Sequence, residues 1–284
     1  MTENVMSMRA EASLSPRIPI TELADRLSHR PVVESLPGGF RLASWLRPSL
    51  LSAASQDDIF ATLVRISTRS FGADMAPYWA GRKAGGYFQK ISRFCLIIAA
   101  DGTVVGWTGF HRQRFGGRHC LYLDSTGVLP EHQGSGIVSR VQSRILAREL
   151  AAHAFSSLYL ITRTENPVVY RMLQRAVGAE RIHPSPRRPV VPEVIQRIGA
   201  DTAVWLGQED VFDPPRLKVA GAYSNLDALY GELPTSGDGA LDAFFQGNLR
   251  PVDAFLVIAD ANFFRVLGFM LSRGLMWPRG GRGR

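Results

Sequence analysis

The sequence predicts an α/β fold in which a mixed, mostly antiparallel central sheet is flanked by helices. Three apolar segments follow one another with only short turns between them, at residues 94–100, 104–112 and 119–128. Asp101 and Gly102 in the first turn supply the positive backbone angles of a two-residue hairpin, so the three segments form an antiparallel meander. After the third segment the apolar spacing changes from two to three and four, which indicates a helix.

Helical spacing predicts one helix before the meander, at residues 57–70, and a second directly after it, at residues 138–152. A further strand at residues 157–164 and a further helix at residues 167–177 follow. Because a strand-helix-strand crossover returns in the same direction, the strands on either side of the second helix should pair in parallel.

The turn between the third strand and the second helix contains Gly134 and Gly136 a few residues after Pro130. A strand that stops at a proline and enters a helix through such a turn leaves several backbone N–H groups unpaired near one point. Glycine lets an anion approach the main chain, and the helix start adds partial positive charge. The turn therefore predicts a diphosphate site, with an ordinary glycine turn as the alternative. Neither G-x-x-x-x-G-K-[ST] nor G-x-G-x-x-G is present.

Residues 128–138, V-L-P-E-H-Q-G-S-G-I-V, resemble the signature of the GNAT acyltransferases, V-x-P followed by Q/R-x-x-G-x-G/A. One position departs from the signature, because Val138 stands where the family has Gly or Ala. The resemblance extends over about residues 55–180 and implies the GNAT fold. It also implies acetyl-CoA or another acyl-CoA as co-substrate, held by backbone N–H groups of the turn. The implied cofactor-binding residues are Ser125, Val128, Gln133, Gly134, Ser135, Gly136, Ile137 and Val138.

The start of the helix at residues 167–177 is a second informative segment. Asn166 is a suitable N-cap and Pro167 a good first helical residue. The resemblance implies that Asn166 contacts the coenzyme and that a tyrosine on this helix protonates the departing thiolate. Tyr170 lies one turn from Asn166, whereas the position that the family uses for this tyrosine is filled by Leu173. Tyr170 is therefore the candidate catalytic acid, and packing against the sheet is its structural alternative.

An attacking amine must lose a proton, so a base is expected near the strand that precedes the turn. Asp124 is the first candidate, because strand alternation puts it on the same face as Thr126 and Val128. Glu165 and His111 are reserve candidates. A backbone N–H near Asp124 or Ser125 is expected to polarise the acyl carbonyl.

Composition bounds the class of protein. With 284 residues, the chain is long enough to bury a large core, and its only cysteines, Cys95 and Cys120, fall on separated strands and should be reduced. The six histidines show no paired ligand spacing, so we expect no metal. No signal peptide is apparent, and polar residues interrupt the apolar stretch 255–271, so we expect a cytoplasmic enzyme without a membrane span.

The formal charge of +8 comes almost entirely from arginine. Such a field favours a phosphate-bearing coenzyme, and a solvated basic surface is the plain interpretation. A tRNA partner is the alternative, because some relatives on this fold accept an aminoacyl group from charged tRNA. The basic residues around the meander are Arg82, Lys83, Lys90, Arg93, Arg112, Arg114 and Arg118.

Three parts of the chain are expected. Residues 1–50 contain five prolines and read as an N-terminal extension packed on the core. Residues 51–180 form the core with the cofactor site. Residues 181–284 complete the sheet and include a long insert, 178–248, which is of a length expected for a lid or an acceptor-recognition element.

Outside the core the elements are short. The pattern favours helices at residues 20–27 and 190–198, strands at 202–206 and 217–223, and a last sheet strand at 250–259.

The sequence thus predicts an N-acyltransferase in which a small-molecule amine directly attacks an acyl-CoA thioester in a ternary complex. Two alternatives stay open. The first is an aminoacyl transferase that depends on aminoacyl-tRNA, and the second is a non-catalytic sensor that binds acyl-CoA.

Overall fold

An eleven-stranded sheet forms the centre of the computed structural model, which describes residues 29–153, 157–261 and 266. The strands are β1 (Val32–Ser35), β2 (Arg41–Trp45), β3 (Arg93–Ile98), β4 (Val104–Phe115), β5 (Arg118–Leu123), β6 (Gly127–Val128), β7 (Leu158–Thr164), β8 (Ile182–His183), β9 (Phe212–Asp213), β10 (Lys218–Val219) and β11 (Ala254–Ala261). The helices are α1 (Ala53–Phe71), α2 (Ala76–Ala84), α3 (Tyr87–Lys90), α4 (Ile137–Ala152), α5 (Pro167–Val177), α6 (Glu193–Leu206) and α7 (Gly239–Asn248).

The strand order is β1-β2-β3-β4-β5-β7-β11-β10-β9, with β6 paired to β4 and β8 paired to β11. β5 and β7 pair in parallel, and the other pairs are antiparallel. The predicted meander of β3, β4 and β5 and the parallel crossover through α4 are therefore confirmed. Parallel pairing arises because α4 carries the chain back to the starting end of the sheet.

Local sequence explains where the helices that position the site begin and end. Ser52 caps α1, its side chain accepting a hydrogen bond from the Ser55 N–H at 3.2 Å, and Gly72 ends that helix in the left-handed conformation. Asn166 caps α5 as predicted, because its Oδ1 accepts from the Val168 N–H at 2.8 Å, and Pro167 is the first helical residue.

Apolar side chains pack on both faces of the sheet. The larger core contains the inward faces of α1, α4 and α5, with Ile59, Val141 and Leu173 buried. A smaller core lies beneath α6, where Ile198 packs with Phe115. The two cores place α4 and α6 on opposite faces, and this separation decides which side chains meet in the site.

The cysteine prediction is confirmed within the described residues. Cys95 lies on β3 and Cys120 on β5, both buried and unbridged, with β4 between their strands.

Several predictions outside the core are wrong. Residues 202–206 are not a strand but the last turns of α6, because Ile195, Ile198 and Thr202 are buried at helical spacing. Only Lys218–Val219 of the predicted strand 217–223 is extended. Residues 32–45, in the predicted N-terminal extension, add β1 and β2 to the sheet, and the extension itself stays a prediction. The helix predicted at 20–27 lies outside the described residues.

No helix in the described part of the chain has the length and hydrophobicity needed to cross a membrane.

Gly127→Ala should destabilise the protein by about 1–3 kcal/mol, since a Cβ on this buried β6 residue would overlap the buried Trp107 ring. Urea unfolding at neutral pH measures the effect. Gly81→Ala is the matched control, because a Cβ on this exposed residue of α2 meets nothing within 4 Å. The control should gain up to about 1 kcal/mol. Equal stability of the two variants would contradict this account of β6.

Candidate active site

A cavity of about 1080 Å³ opens where β5 and β7 separate. Their parallel pairing ends at Tyr122 and Ile161, after which the two strands share no further register pairs. The cavity is lined by the end of β5, β6, the start of α4, β7, α5 and the segment 223–236. Such a gap gives a ligand access to the middle of the sheet.

The turn before α4 forms one end of the cavity. Gly134 has a φ of 73° and Gly136 a φ of 75°, so both adopt the left-handed conformation that glycine permits. Within the described residues no partner accepts a hydrogen bond from the N–H groups of Gly134, Ser135, Gly136, Val138 and Ser139. We call these five groups the cradle. The cradle is exposed at a helix start, where an anion is favoured.

Two of the turn residues differ from the prediction. The Gln133 N–H donates to Pro130 O at 3.1 Å, and its side-chain Nε2 donates to Ser70 O and Val128 O at 3.2 Å. The Ile137 N–H is also engaged, donating to Ser135 Oγ at 3.3 Å. Gln133 and Ile137 therefore shape the turn instead of offering donors.

The other predicted cofactor-binding residues are brought together only in part. Asn166, Ser125, Val128 and Val138 line the cavity. Ser135 does not line it, although its N–H belongs to the cradle. The donors expected near Asp124 are not available, because Asp124 N donates to Gly109 O at 3.0 Å and Ser125 N to Asp124 Oδ1 at 2.6 Å. The N–H groups of Asp124 and Ser125 themselves are therefore not free to polarise the carbonyl.

Asp124 lies in the cavity wall at the centre of a charged cluster. Its carboxylate accepts two hydrogen bonds from Arg82, from Nη1 at 2.8 Å and from Nη2 at 2.7 Å. His111 Nε2 contacts Oδ2 at 2.9 Å, and the other ring nitrogen contacts Lys90 O at 3.1 Å. Both ring neighbours are acceptors, so both contacts are satisfied together only when each nitrogen carries a proton.

The contacts of Asp124 do not favour its predicted role as the catalytic base. Burial opposes ionisation of the carboxyl, but the Arg82 guanidinium and the hydrogen bonds from His111 and Ser125 outweigh it and hold the pKa of Asp124 well below its ordinary value. A carboxylate that holds its charge this strongly is a poor proton acceptor. Asp124 instead fixes Arg82 in the cavity wall.

The position of Tyr170 does not favour its predicted role as the catalytic acid either. The ring is fully buried, packs against Phe245 and lies outside the cavity wall. Its hydroxyl donates to Pro184 O at 2.8 Å, and burial raises the pKa of Tyr170 to about 12. The residue holds the segment after α5 against the helix, which was the structural alternative.

Glu165 has the pKa expected of a proton acceptor near neutral pH. Burial and the nearby Asp253 carboxylate raise the pKa of Glu165 to about 7. Glu165 is not itself part of the cavity wall, but it directly precedes Asn166, which is, and its charge acts on the wall residues Tyr223 and Tyr230. Of the reserve candidates, Glu165 is the better suited, since both ring nitrogens of His111 are occupied.

Sequence reasoning missed most of the polar cavity wall. These residues come from elements that lie far apart in sequence: Tyr78, Arg82, Tyr122, Arg163, Tyr223 and Tyr230. The only signal was the basic cluster, which included Arg82 without locating it. Residues 223–236, inside the long insert, close one side of the cavity, and nothing in their composition predicted that placement.

A sequence model of the acetyltransferase (GNAT) family matches residues 59–179. Residues 59–179 therefore form a GNAT acetyltransferase domain, in agreement with the resemblance, and this domain belongs to the N-acyltransferase class of enzymes. The match spans α1 to α5 and includes the cradle. No curated protein sequence matches the chain.

Several solved structures are weakly similar to the chain. An IAA acetyltransferase from Bacillus cereus shares 11% identity over 78% of this chain and 99% of that chain, with a TM-score of 0.38. The GNAT family N-acetyltransferase YhbS from Escherichia coli, in complex with CoA, shares 14% identity over 50% of this chain and 67% of that chain, with a TM-score of 0.31. A GNAT family acetyltransferase from Brucella melitensis, in complex with acetyl-CoA, shares 17% sequence identity over 43% of this chain and 75% of that chain, with a TM-score of 0.31. Similarity this low assigns no substrate.

Asp124→Asn should destabilise the protein by about 3–5 kcal/mol, because it leaves the Arg82 guanidinium without its buried counter-charge and weakens the acceptor of the His111 ring. The measurement is urea unfolding at pH 7. Asp227→Asn, at an exposed carboxylate of the same type, is the control and should change stability by less than about 0.5 kcal/mol. Similar effects of the two substitutions would refute the central role of the cluster.

Proposed function

We propose that the chain transfers an acyl group, acetyl in the simplest case, from acyl-CoA to the amine of a small molecule. In this reaction the amine nitrogen forms a bond to the thioester carbonyl carbon, the carbon–sulfur bond breaks, and the amine proton passes to a base. Both substrates are bound together and no acyl-enzyme is formed. The cradle is the observation that carries the proposal.

The cradle fits a diphosphate for a physical reason. Five N–H groups without acceptors lie within a six-residue stretch, 134–139, at the start of the sixteen-residue helix α4. Backbone donors and the helix dipole both favour phosphate oxygens at that position. The cavity leads from the cradle to the gap between β5 and β7, so an acyl thioester arm can extend from the diphosphate to the polar wall.

The cavity supports a small acceptor. Its volume of about 1080 Å³ lies just above the usual range of small-ligand sites, roughly 300–1,000 Å³. Residues 223–236 line one side of this cavity. We infer that this part of the insert contacts the acceptor.

The charge distribution gives little support to a tRNA donor. Four of the seven basic residues around the meander are used in ion pairs within the described chain. The pairs are Arg82 with Asp124, Lys83 with Asp57, Arg93 with Glu34 and Arg112 with Glu149. Paired cations contribute less to binding a polyanion, so the formal charge of the chain overstates its attraction for nucleic acid.

We propose Glu165 as the group that takes the amine proton, through a water molecule, because its raised pKa of about 7 suits that step. The thiolate that leaves receives a proton from a phenol of the cavity wall, which contains Tyr78, Tyr122, Tyr223 and Tyr230. This assignment moves the acid from α5 to other elements of the fold.

Gly136→Ala should raise the KM and the Kd for acetyl-CoA roughly tenfold, because a Cβ in the left-handed region costs about 1–2 kcal/mol and the cradle distorts to relieve it. Thiol release and calorimetric titration measure the two constants.

Gly117→Ala is the control for this substitution. It introduces the same type of strain, at a φ of 71°, in the β4–β5 turn away from the cavity. Unchanged coenzyme binding in Gly136→Ala would refute the proposal. Binding of acyl-CoA without thiol release, whatever the amine, would identify a sensor, and release of thiol only with charged tRNA present would identify the tRNA-dependent alternative.

Glu165→Gln should remove a pH limb from the reaction. In the wild type, kcat/KM should rise as the pH increases through about 7, since the base must be deprotonated to act. In Glu165→Gln, kcat/KM should be lower than in the wild type above that pH, and it should not rise as the pH increases through about 7. Glu232→Gln, which removes an exposed carboxylate of the cavity wall, should retain it. A limb that persists in Glu165→Gln would assign the proton transfer to another group.

A further inference from the structure

Arg163 stands in the cavity wall opposite Asp124. The β5–β7 register pairs Tyr122 with Ile161, and continuing that register by two residues along each strand places Asp124 across from Arg163. No register pair joins the strands there, so the space between the two side chains belongs to the cavity.

The face of the sheet identifies which substrate Arg163 meets. Ile161 and Arg163 are two residues apart on β7 and share a face, and Ile161 packs in the core beneath α6. The helix that carries the cradle, α4, packs on the other face through Val141 and Ile145. Arg163 therefore lies on the acceptor side of the gap and not beside the coenzyme diphosphate.

The guanidinium of Arg163 is held in place but keeps its Nε unpaired. Its Nη1 donates to Gln208 Oε1 at 2.6 Å, and its Cζ lies 4.6 Å from the centroid of the Tyr223 ring. Its Nε is buried and has no hydrogen-bond partner among the described residues, and the Tyr223 hydroxyl also interacts with the guanidinium. Nε and Nη2 form the side edge of a guanidinium, the edge that binds a carboxylate through two parallel hydrogen bonds.

No carboxylate of the described residues serves this edge. Asp124, across the gap, is saturated by Arg82, His111 and the Ser125 N–H. Arg163 is therefore a cation whose buried Nε has no acceptor among the described residues. A partly buried cation without a partner is costly, and a protonated amine alone would be repelled by it.

We propose that the acceptor is an amine that also carries a carboxylate, as an amino acid does, and that Arg163 binds this carboxylate through Nε and Nη2. The inference rests on the proposed function and names the substrate class of the same site. The carboxylate pairs with the Arg163 charge, satisfies the buried Nε donor and fixes the amine at a set distance from the gap between the strands.

The test compares amino acids with the amines that lack only the carboxylate, for example phenylalanine with phenethylamine, using acetyl-CoA and thiol release. The wild type should prefer the carboxylated member of each pair by roughly 10- to 100-fold in kcat/KM. In Arg163→Met the activity with amino acids should fall by that factor, while the activity with the decarboxylated amines and the KM for acetyl-CoA should stay unchanged. The activity of Arg163→Lys with amino acids should lie between those of the wild type and Arg163→Met.

Arg197→Met is the control, because Arg197 lies on α6 with an exposed side chain whose recorded ion pair is to Glu193, one turn away. It should leave every preference unchanged. Melting temperatures of all variants check that Arg163→Met is folded.

Three outcomes would overturn the inference. Equal use of amino acids and amines by the wild type would refute it while leaving acyl transfer intact. An equal loss for both classes of amine in Arg163→Met would assign a structural role to Arg163. If Arg163→Met lost activity with succinyl-CoA as the donor but kept normal activity with acetyl-CoA, Arg163 would bind a carboxylate on the donor. Absence of acetyl-CoA binding by calorimetry would refute the proposed function itself.

Discussion

The separation of β5 from β7 is the constraint on which the rest of the site depends. A parallel pair normally continues as long as both strands stay extended, but here the pairing stops at Tyr122 and Ile161. Beyond that point Asp124 N pairs with β4, through Gly109 O, and Gly127 and Val128 also pair with β4. β5 and β6 thus stay paired with β4, while β7 stays paired with β11. The gap that opens between β5 and β7 is lined by residues from both faces of the sheet.

The charged cluster at the opening explains why the first candidate base is unsuitable. Asp124 is where strand alternation puts it, on the cavity side, but Arg82 and His111 stabilise its ionised form. The same contacts occupy the Asp124 carboxylate, and Arg163 on the opposite strand keeps a buried Nε without a hydrogen-bond partner among the described residues. One saturated anion therefore removes a proton acceptor from the site and leaves a cation available for a substrate.

The long insert changes the site more than its composition indicates. Residues 223–236 bring Tyr223 and Tyr230 to the cavity, and Tyr223 stacks on Arg163 and donates to its carbonyl oxygen at 3.0 Å. On α5, meanwhile, Leu173 fills the position that the family gives to a tyrosine, and Tyr170 is buried elsewhere. Tyrosines on other elements therefore line the cavity. The family signature alone does not indicate which tyrosines these are.

The sequence by itself determined the order of the central elements and the turn with the cradle. These features are local: hairpin turns, helix caps, apolar spacing and paired glycines act within a few residues of one another. The tertiary structure alone decided the pKa of Asp124, the burial of Tyr170, the unpaired Nε of Arg163 and the position of residues 223–236. Each of these depends on charges or packing partners tens of residues away in the chain, and no local pattern records them.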